Sequence, residues 1–119
     1  MFYDRNGNAV AYTEDNEHIY MFNGNPVAYF YNDKVYGFNG IHLGWFGNGW
    51  IRDLNGKCVL FNSKASGSGP IKPVKSIKPI KSVKSIKPVK GVKQVSRVRS
   101  VDSLSWSHLT GKDFLLQGI

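Results

Sequence analysis

The stretch FYDRNGNAVAY, residues 2–12, decides the fold, because the chain repeats its pattern three more times. The other copies are IYMFNGNPVAY at 19–29, VYGFNGIHLGW at 35–45 and IRDLNGKCVLF at 51–61. Each copy places short apolar runs on both sides of an Asn-Gly pair, the strongest short signal for a β-hairpin with a two-residue type I′ turn. The first half of the chain is therefore predicted to contain four copies of one hairpin.

The four hairpins should pack together, because an isolated hairpin is marginal in water. The repeat region is too short for a long solenoid with end caps. Closing the hairpins around a central axis removes their exposed strand edges. We therefore predict an all-β head of four β-hairpins around a pseudo-fourfold axis, forming a closed ring of eight short strands. A flat eight-stranded meander is the alternative.

The two faces of each hairpin differ in composition. With a type I′ turn, three repeat positions lie on one face of each hairpin, two of them mainly aromatic and one aliphatic. From the first hairpin to the fourth, the first position has Tyr3, Tyr20, Tyr36 and Arg52. The second has Tyr12, Tyr29, Trp45 and Phe61, and the third has Val10, Val27, Leu43 and Val59. The other face pairs Phe2 with Ala11, Ile19 with Ala28, Val35 with Gly44 and Ile51 with Leu60. Three of these four pairs join a large residue to a small one, which permits close approach, and both faces are expected to be buried.

Residues 70–102 follow a period of three, as in PIKPVKSIK at 70–78, with Ile or Val in the middle of each triplet and Lys usually after it. The prolines argue against a helix, and a strand would scatter the aliphatic residues over both faces. A polyproline II helix has three residues per turn, so it would gather Ile and Val on one edge and Lys on another. We therefore predict an extended tail of this type.

An aliphatic edge of this length should be buried, since each buried Val or Ile stabilises by roughly 1.5–3 kcal/mol. We predict that the tail wraps the head with Ile and Val facing inward and Lys facing solvent, and that its amides at 71–101 are protected from hydrogen exchange. The alternatives are a tail that crosses to another subunit or trimerises, and a disordered tail.

The C-terminal segment returns to ordinary composition and contains Trp106 and several leucines. Thr110 and Asp113 resemble a capping box, which predicts a short helical turn over 111–117 docked on the head. The predicted organisation is a four-hairpin domain at 1–64, a triplet tail at 65–103 and a docking segment at 104–119.

The order of these motifs resembles the bacterial four-fold β flower family. The resemblance rests on YD-x-NG-x-x-VAY, IY-x-F-NG-x-PVAY and VYGF-NG in the head, followed by a KPVKSIKP-like tail that ends in Ser-Leu-Ser-Trp. It covers nearly the whole chain and implies four hairpins around a pseudo-fourfold axis. It implies no activity. Arg5 and Arg52 depart from the repeat, where other copies have apolar residues.

No catalytic constellation is visible, so we predict a protein that is not an enzyme and needs no cofactor. The three histidines and Cys58 are separated in the sequence, without the spacing of metal ligands, and Cys58 is expected to be a buried structural thiol. Asp4 and Asp53 occupy equivalent turn positions, where a turn-stabilising role is favoured over acid–base chemistry.

Charge is distributed unevenly along the chain, which suggests an anionic partner or a tail that lies on its own head. Residues 1–62 contain four basic and six acidic side chains, whereas 70–101 contain ten basic and no acidic ones. The first hypothesis is a non-catalytic structural or interaction module. The second is polyanion binding, of nucleic acid or an acidic polymer, by a basic rim: Lys72, Lys75, Lys78, Lys81, Lys84, Lys87, Lys90, Lys93, Arg97 and Arg99. The third is small-ligand binding at the pseudo-fourfold axis by Tyr3, Tyr20, Tyr36 and Arg52.

The sequence contains no signal-peptide pattern and no apolar run of the ~18 residues that a membrane span needs. With a single cysteine, it gives no indication of an oxidising compartment. The expectation is a cytoplasmic protein without a membrane span, with export by a route lacking a cleaved signal left open. A homo-oligomer formed through the tail is a further partner hypothesis.

Overall fold

A computed structural model describes residues 1–76 and 79–118. Within them, eight strands form a closed antiparallel barrel in sequence order, and one helix follows. The closed ring of hairpins predicted from the repeats is therefore confirmed. The strands are β1 Phe2–Tyr3, β2 Ala9–Tyr12, β3 His18–Met21, β4 Pro26–Tyr31, β5 Lys34–Gly37, β6 His42–Gly47, β7 Trp50–Asp53 and β8 Cys58–Phe61; the helix is α1 Gly111–Leu116.

The Asn-Gly turns are not the predicted type I′ turns. In the first hairpin Gly7 has φ +81°, whereas Asn6 is not in the left-handed region. The Gly7 N–H donates to the Asp4 carbonyl, and the Asp4 N–H donates to the Asn8 carbonyl, both at 2.9 Å. The loop thus has three residues, a turn followed by a left-handed glycine, which is the next most common hairpin solution. The Asp4 carboxylate stabilises it by accepting from the N–H groups of Asn6 and Asn8, as predicted for a turn residue.

Each hairpin also contains a register shift, which changes the predicted composition of the two faces. In the first hairpin Phe2 pairs with Ala11 but Tyr3 pairs with Ala9, and the other three hairpins shift at the equivalent position. A one-residue shift moves side chains to the opposite face. The aliphatic residues assigned to the aromatic face are therefore misassigned, and three of them lie in the central core: Val27, Leu43 and Val59.

The large-to-small pairs form that core as predicted. Phe2 lies opposite Ala11, Ile19 opposite Ala28, Val35 opposite Gly44 and Ile51 opposite Leu60. All of these except Gly44 belong to one buried cluster. Gly44 leaves room for the neighbouring strand and for α1, since a Cβ there would lie 1.9 Å from the Arg52 carbonyl oxygen and 3.1 Å from the Phe114 ring.

The helix α1 closes the core at one end of the barrel. Thr110 caps it by accepting from the Asp113 N–H at 3.0 Å, so the predicted capping interaction and helical turn are confirmed. Phe114 and Leu115 are fully buried in the central cluster. Trp106 packs beside Trp50 and Phe61 and forms a bridge with Cys58, which docks the C-terminal segment on the head.

Candidate functional site

The tail contacts the hairpin turns at intervals of nine residues. The backbone N–H groups of the tail donate to the carbonyl of each turn glycine at 2.8 to 3.0 Å: Ser76 to Gly7, Ser85 to Gly24, Gln94 to Gly40 and Ser103 to Gly56. Two more bonds join Ser82 to Phe22 and Gly91 to Phe38. Thus equivalent tail positions, nine residues apart, contact the four hairpin turns.

Glycine is needed at each turn where the tail backbone crosses it; we refer to these four contacts as crossings. A Cβ on Gly24 would lie 2.0 Å from the Val83 carbonyl oxygen, and Gly7, Gly40 and Gly56 are crowded in the same way by Val74, Val92 and Val101. The interval of nine is visible in the sequence once the triplets are grouped in threes: PVKSIKPIK at 73–81, SVKSIKPVK at 82–90, GVKQVSRVR at 91–99 and SVDSLSWSH at 100–108. We did not predict this longer period, although the fourfold head provided the reason to look for it.

The orientation of the tail is the reverse of the one predicted from its composition. Its described aliphatic side chains are 90–96% exposed: Ile71, Val74, Ile80, Val83, Ile86, Val89, Val92, Val95, Val98 and Val101. We refer to these ten residues as the aliphatic edge. The prediction that Ile and Val face the head while Lys faces solvent is wrong. The prediction for Ile77 and Lys78 lies outside the described residues.

Basic side chains of the tail instead lie over aromatic rings of the head. Lys81 Nζ is 4.4 Å from the ring centroid of Tyr12, and Lys90 Nζ is 4.4 Å from that of Tyr29. Four further contacts, at 5.4 to 5.6 Å, place Lys75 over Tyr3, Lys84 over Tyr20, Lys93 over Tyr29 and Arg99 over Trp45. An ammonium group is attracted to a ring face, and the methylene stem covers apolar surface. This gives a physical reason for the inward orientation of the Lys edge.

Acidic side chains of the head pair with the same cations. Glu14 contacts both Lys81 and Lys84, Glu17 contacts Lys90 at 3.0 Å, and Asp33 lies 3.6 Å from Arg99. The hydrogen bonds from Lys84 and Lys81 lower the pKa of Glu14, and the bond from Lys90 lowers that of Glu17. Much of the predicted basic rim is therefore engaged with the head.

At the last hairpin, both the head and the tail have residue types that differ from those of the other repeats. Arg52 stands where the other repeats have Tyr3, Tyr20 and Tyr36. On the tail, Asp102 stands where earlier nine-residue segments have Lys75, Lys84 and Lys93. Arg52 Nε lies 3.5 Å from Asp102 Oδ1, so a tyrosine–lysine contact is replaced by an ion pair at the same place. The departure of Arg52 from the repeat is thus matched by a departure in the tail.

The four residues predicted to line an axial pocket lie on the outer face of the barrel. Their preceding neighbours Phe2, Ile19, Val35 and Ile51 occupy the core, and successive side chains of a strand point to opposite faces. The hydroxyl of Tyr36 donates to the Gln94 carbonyl at 3.0 Å, and Arg52 donates to the carbonyl of Ser103 at 2.8 Å. Tyr3 and Tyr20 lie under Lys75 and Lys84. The axial-pocket assignment of Tyr3, Tyr20, Tyr36 and Arg52 is therefore corrected: these residues contact the tail.

Three polar atoms under this interface lack a hydrogen-bond partner in the described part of the chain. They are the hydroxyls of Tyr12 and Tyr29 and Nε1 of Trp45, at equivalent positions of three repeats. The fourth repeat has Phe61 there, which carries no polar atom. These three atoms therefore make no hydrogen bond to the described part of the tail that covers them.

The reactive side chains of the head are sequestered. Cys58 is fully buried, and burial raises its pKa to about 11, so the thiol is a poor nucleophile, as expected for a structural cysteine. His42 is also buried, and burial lowers its pKa. No group of three or more potential metal ligands occurs in residues 1–76 and 79–118.

The contact between His42 and the tail should depend on pH. Its Nε2 lies 2.9 Å from the Gly44 carbonyl, and its Nδ1 accepts from the Arg97 N–H at 3.2 Å, which requires the neutral ring. A pKa lowered below its unfolded value of 6.5 means that the stabilisation is complete above that pH and is lost as the pH falls. We expect the protection of the Arg97 amide, measured relative to its intrinsic exchange rate at each pH, and the unfolding temperature both to fall from about pH 7.5 to about pH 5. His42→Gln should weaken this pH dependence; an unchanged dependence would contradict the assignment.

The crossing at Gly24 gives a second test. We expect Gly24→Ala to destabilise the protein by about 1–3 kcal/mol, because the residue has φ +91° and its new Cβ would strike the tail backbone. Hydrogen exchange at Ser82 and Ser85 should accelerate. Gly47→Ala is the control, since its Cβ would have no neighbour nearer than 3.9 Å. Equal exchange at Ser82 and Ser85 in both variants would contradict the crossing.

None of the helices in the described residues has the length and apolar character needed to cross a bilayer.

No curated protein and no solved structure matches the chain. A family model described as 4-fold beta flower protein matches residues 1–115, which includes all four hairpins, the tail and most of α1. The match agrees with the closed barrel of four hairpins described above. The chain therefore belongs to the 4-fold beta flower family.

Proposed function

We propose that this protein is a non-catalytic interaction module that associates with further copies of itself through the aliphatic edge. In this proposal the tail encircles the barrel in a polyproline II conformation, with its Lys edge inward and its aliphatic edge outward. The observation that carries the proposal is the exposure of the ten Ile and Val side chains, each at least 90% exposed.

An uncovered surface of this kind is unusual for a monomer. The largest apolar patch on a typical monomer is about 300–600 Å² and is often functional. The aliphatic edge is interrupted by polar triplet positions, but it extends from Ile71 to Val101. The hydrogen bonds at Ser76, Ser85, Gln94 and Ser103 fix the tail against the turns, which supports a permanent display of the edge.

A second copy fits this edge for geometric reasons. In polyproline II the aliphatic side chains would recur about every 9 Å, which leaves gaps between them. A two-fold contact brings the same edge from two molecules together, so the side chains of one copy can fill the gaps of the other. Repulsion between cations across such a contact is reduced, because Lys81, Lys84, Lys90 and Arg99 are paired with carboxylates of their own head.

Polyanion binding is less well supported by the same contacts. Lys81, Lys84 and Lys90 are engaged by carboxylates and aromatic rings, although each keeps 36–41% of its side-chain surface exposed. A polyanion would have to compete with these intramolecular pairs. Binding to DNA is therefore the alternative that a titration must distinguish from self-association.

The experiment is light scattering and analytical ultracentrifugation of the full chain over a range of concentrations. We expect reversible self-association, and we expect a triple variant, Val83→Ser, Ile86→Ser and Val89→Ser, to weaken it by about tenfold or more. These side chains are 92–96% exposed, so the unfolding temperature should change little. Lys87→Ser, in the same exposed segment, is the matched control.

A strictly monomeric protein at all concentrations would overturn the self-association proposal. Association that the triple variant leaves intact would place the contact elsewhere. Titration with duplex DNA at two salt concentrations should show no tight binding; a saturable, strongly salt-dependent complex would favour the polyanion alternative instead.

A further inference from the structure

A cavity of about 330 Å³ opens at the end of the barrel where the loops between hairpins meet. This volume lies within the ~300–1,000 Å³ range of small-molecule sites. Phe2, Phe30 and Phe46 line it, with ring centroids 4.7 to 6.1 Å apart. Phe2 is buried, whereas Phe30 and Phe46 are partly exposed. The cavity therefore has aromatic surface that a ligand can reach.

The cavity has a rim of neutral hydrogen-bonding groups. Amides come from Asn16, Asn32 and Asn62, and hydroxyls come from Thr13 and Ser63. Within the described residues, the side-chain amides of Asn16 and Asn32 form no hydrogen bond with the protein. Their backbones are held in the left-handed conformation, with φ +59° and +56°, in short turns at the cavity rim.

The charge of the site narrows the choice of ligand. None of the described residues that line it carries a carboxylate, and Lys64 has the one charged side chain among them. A cationic ligand would therefore meet three phenyl rings but a neighbouring positive charge. Amides and hydroxyls both donate and accept, which suits a ligand that carries several hydroxyl or acetamido groups on an otherwise apolar ring.

We propose that this axial cavity binds a sugar ring, a hexose or an N-acetylhexosamine unit. The C–H face of the sugar would pack on Phe30 and Phe46, since the faces of aromatic rings carry negative charge and attract C–H groups. The hydroxyl and acetamido groups would reach the amides of Asn16, Asn32 and Asn62. The site differs from the aliphatic edge, so it does not depend on self-association.

The test is saturation-transfer NMR and calorimetric titration of the full chain with glucose, N-acetylglucosamine and their β-linked disaccharides. We expect saturable binding by at least one of them. Asn16→Gly and Asn32→Gly remove each amide while tolerating the left-handed backbone, and the pair should weaken binding about tenfold or more. Asn48→Gly is the matched control, since Asn48 has the equivalent conformation at φ +51° but does not line the cavity.

Phe46→Leu tests the aromatic contact, because it retains apolar volume and removes the ring. It should also lower sugar affinity, with little change in unfolding temperature for a partly exposed residue.

Three results would overturn the proposal: no saturable binding of any of these sugars, binding that the double asparagine variant leaves unchanged, or binding that Asn48→Gly reduces equally. Binding of indole or phenol in place of the sugars would identify an apolar-ligand site and would also reject it.

Discussion

Replacing Arg52 with alanine is expected to destabilise the protein by about 3–5 kcal/mol, because its buried guanidinium donates three hydrogen bonds and each bond to a charged group contributes about 1.5–3 kcal/mol. The Arg52 side chain is 3% exposed and donates to the carbonyls of Gly56, Ser103 and Ser68. The variant leaves these carbonyls without their cationic donor, whereas Asp102 keeps its 3.1 Å pair with Arg99. Denaturant unfolding measures the loss, and Arg5→Ala, an exposed arginine in the first turn, is the control with little expected effect.

The repeat itself supplies a sharper version of this experiment. Arg52→Tyr restores the residue found in the other three hairpins, and Asp102→Lys restores the residue found in the other tail segments. Each single change should destabilise, because it leaves an unmatched pair across the interface. The double variant should recover part of the loss, with a coupling free energy of about 1–3 kcal/mol, as found for residues in contact. Additive effects would mean that the Arg52–Asp102 pair is not equivalent to the tyrosine–lysine pairs of the other repeats.

Replacing Phe114 with alanine is expected to be equally severe, at about 3–5 kcal/mol. Phe114 is fully buried in the central cluster and lies against Gly44, where a Cβ would come within 3.1 Å of its ring. Its loss creates a cavity inside a closed barrel, where strands joined on both sides have little freedom to collapse inward. Urea unfolding gives the change in stability.

The control for Phe114 is Lys112→Ala in the same helix, because Lys112 is exposed. Its effect should stay within about 0.5 kcal/mol, as for other surface substitutions. If Phe114→Ala were as mild as this control, α1 would contribute little to the core. Hydrogen exchange of Leu43 and Leu60 in both variants would locate the loosening.

Most of the fold of the head could be predicted from its sequence repeat. Four Asn-Gly pairs with matching flanks specify four hairpins, and the cost of exposed strand edges favours a closed ring. The pairing of Phe2 with Ala11 and Ile19 with Ala28 follows from the small residues themselves. The register shift beside Tyr3 could not be predicted in the same way. It depends on a three-residue turn with glycine in the left-handed region, and Asn-Gly is compatible with more than one turn.

The candidate sites were harder to predict than the fold. The axial assignment of Tyr3, Tyr20, Tyr36 and Arg52 took the aromatic face for the inside of the ring, because both faces looked apolar. Apart from Met1 and Phe2, the residues that line the axial cavity come from the segments between and after the hairpins, including Phe30 and Phe46 just beyond the repeat. Only closure of the barrel brings these loops to one end.

By itself, the sequence determined the hairpins, their closure and the division of the tail into an aliphatic and a basic edge, because periodicity determines which side chains share an edge. Only the tertiary structure decided which edge faces the head. That choice depends on what the head presents: once the small core pairs fill the axis, the aromatic rings and the carboxylates of Glu14 and Glu17 lie outside, where they attract lysine and leave Ile and Val in solvent.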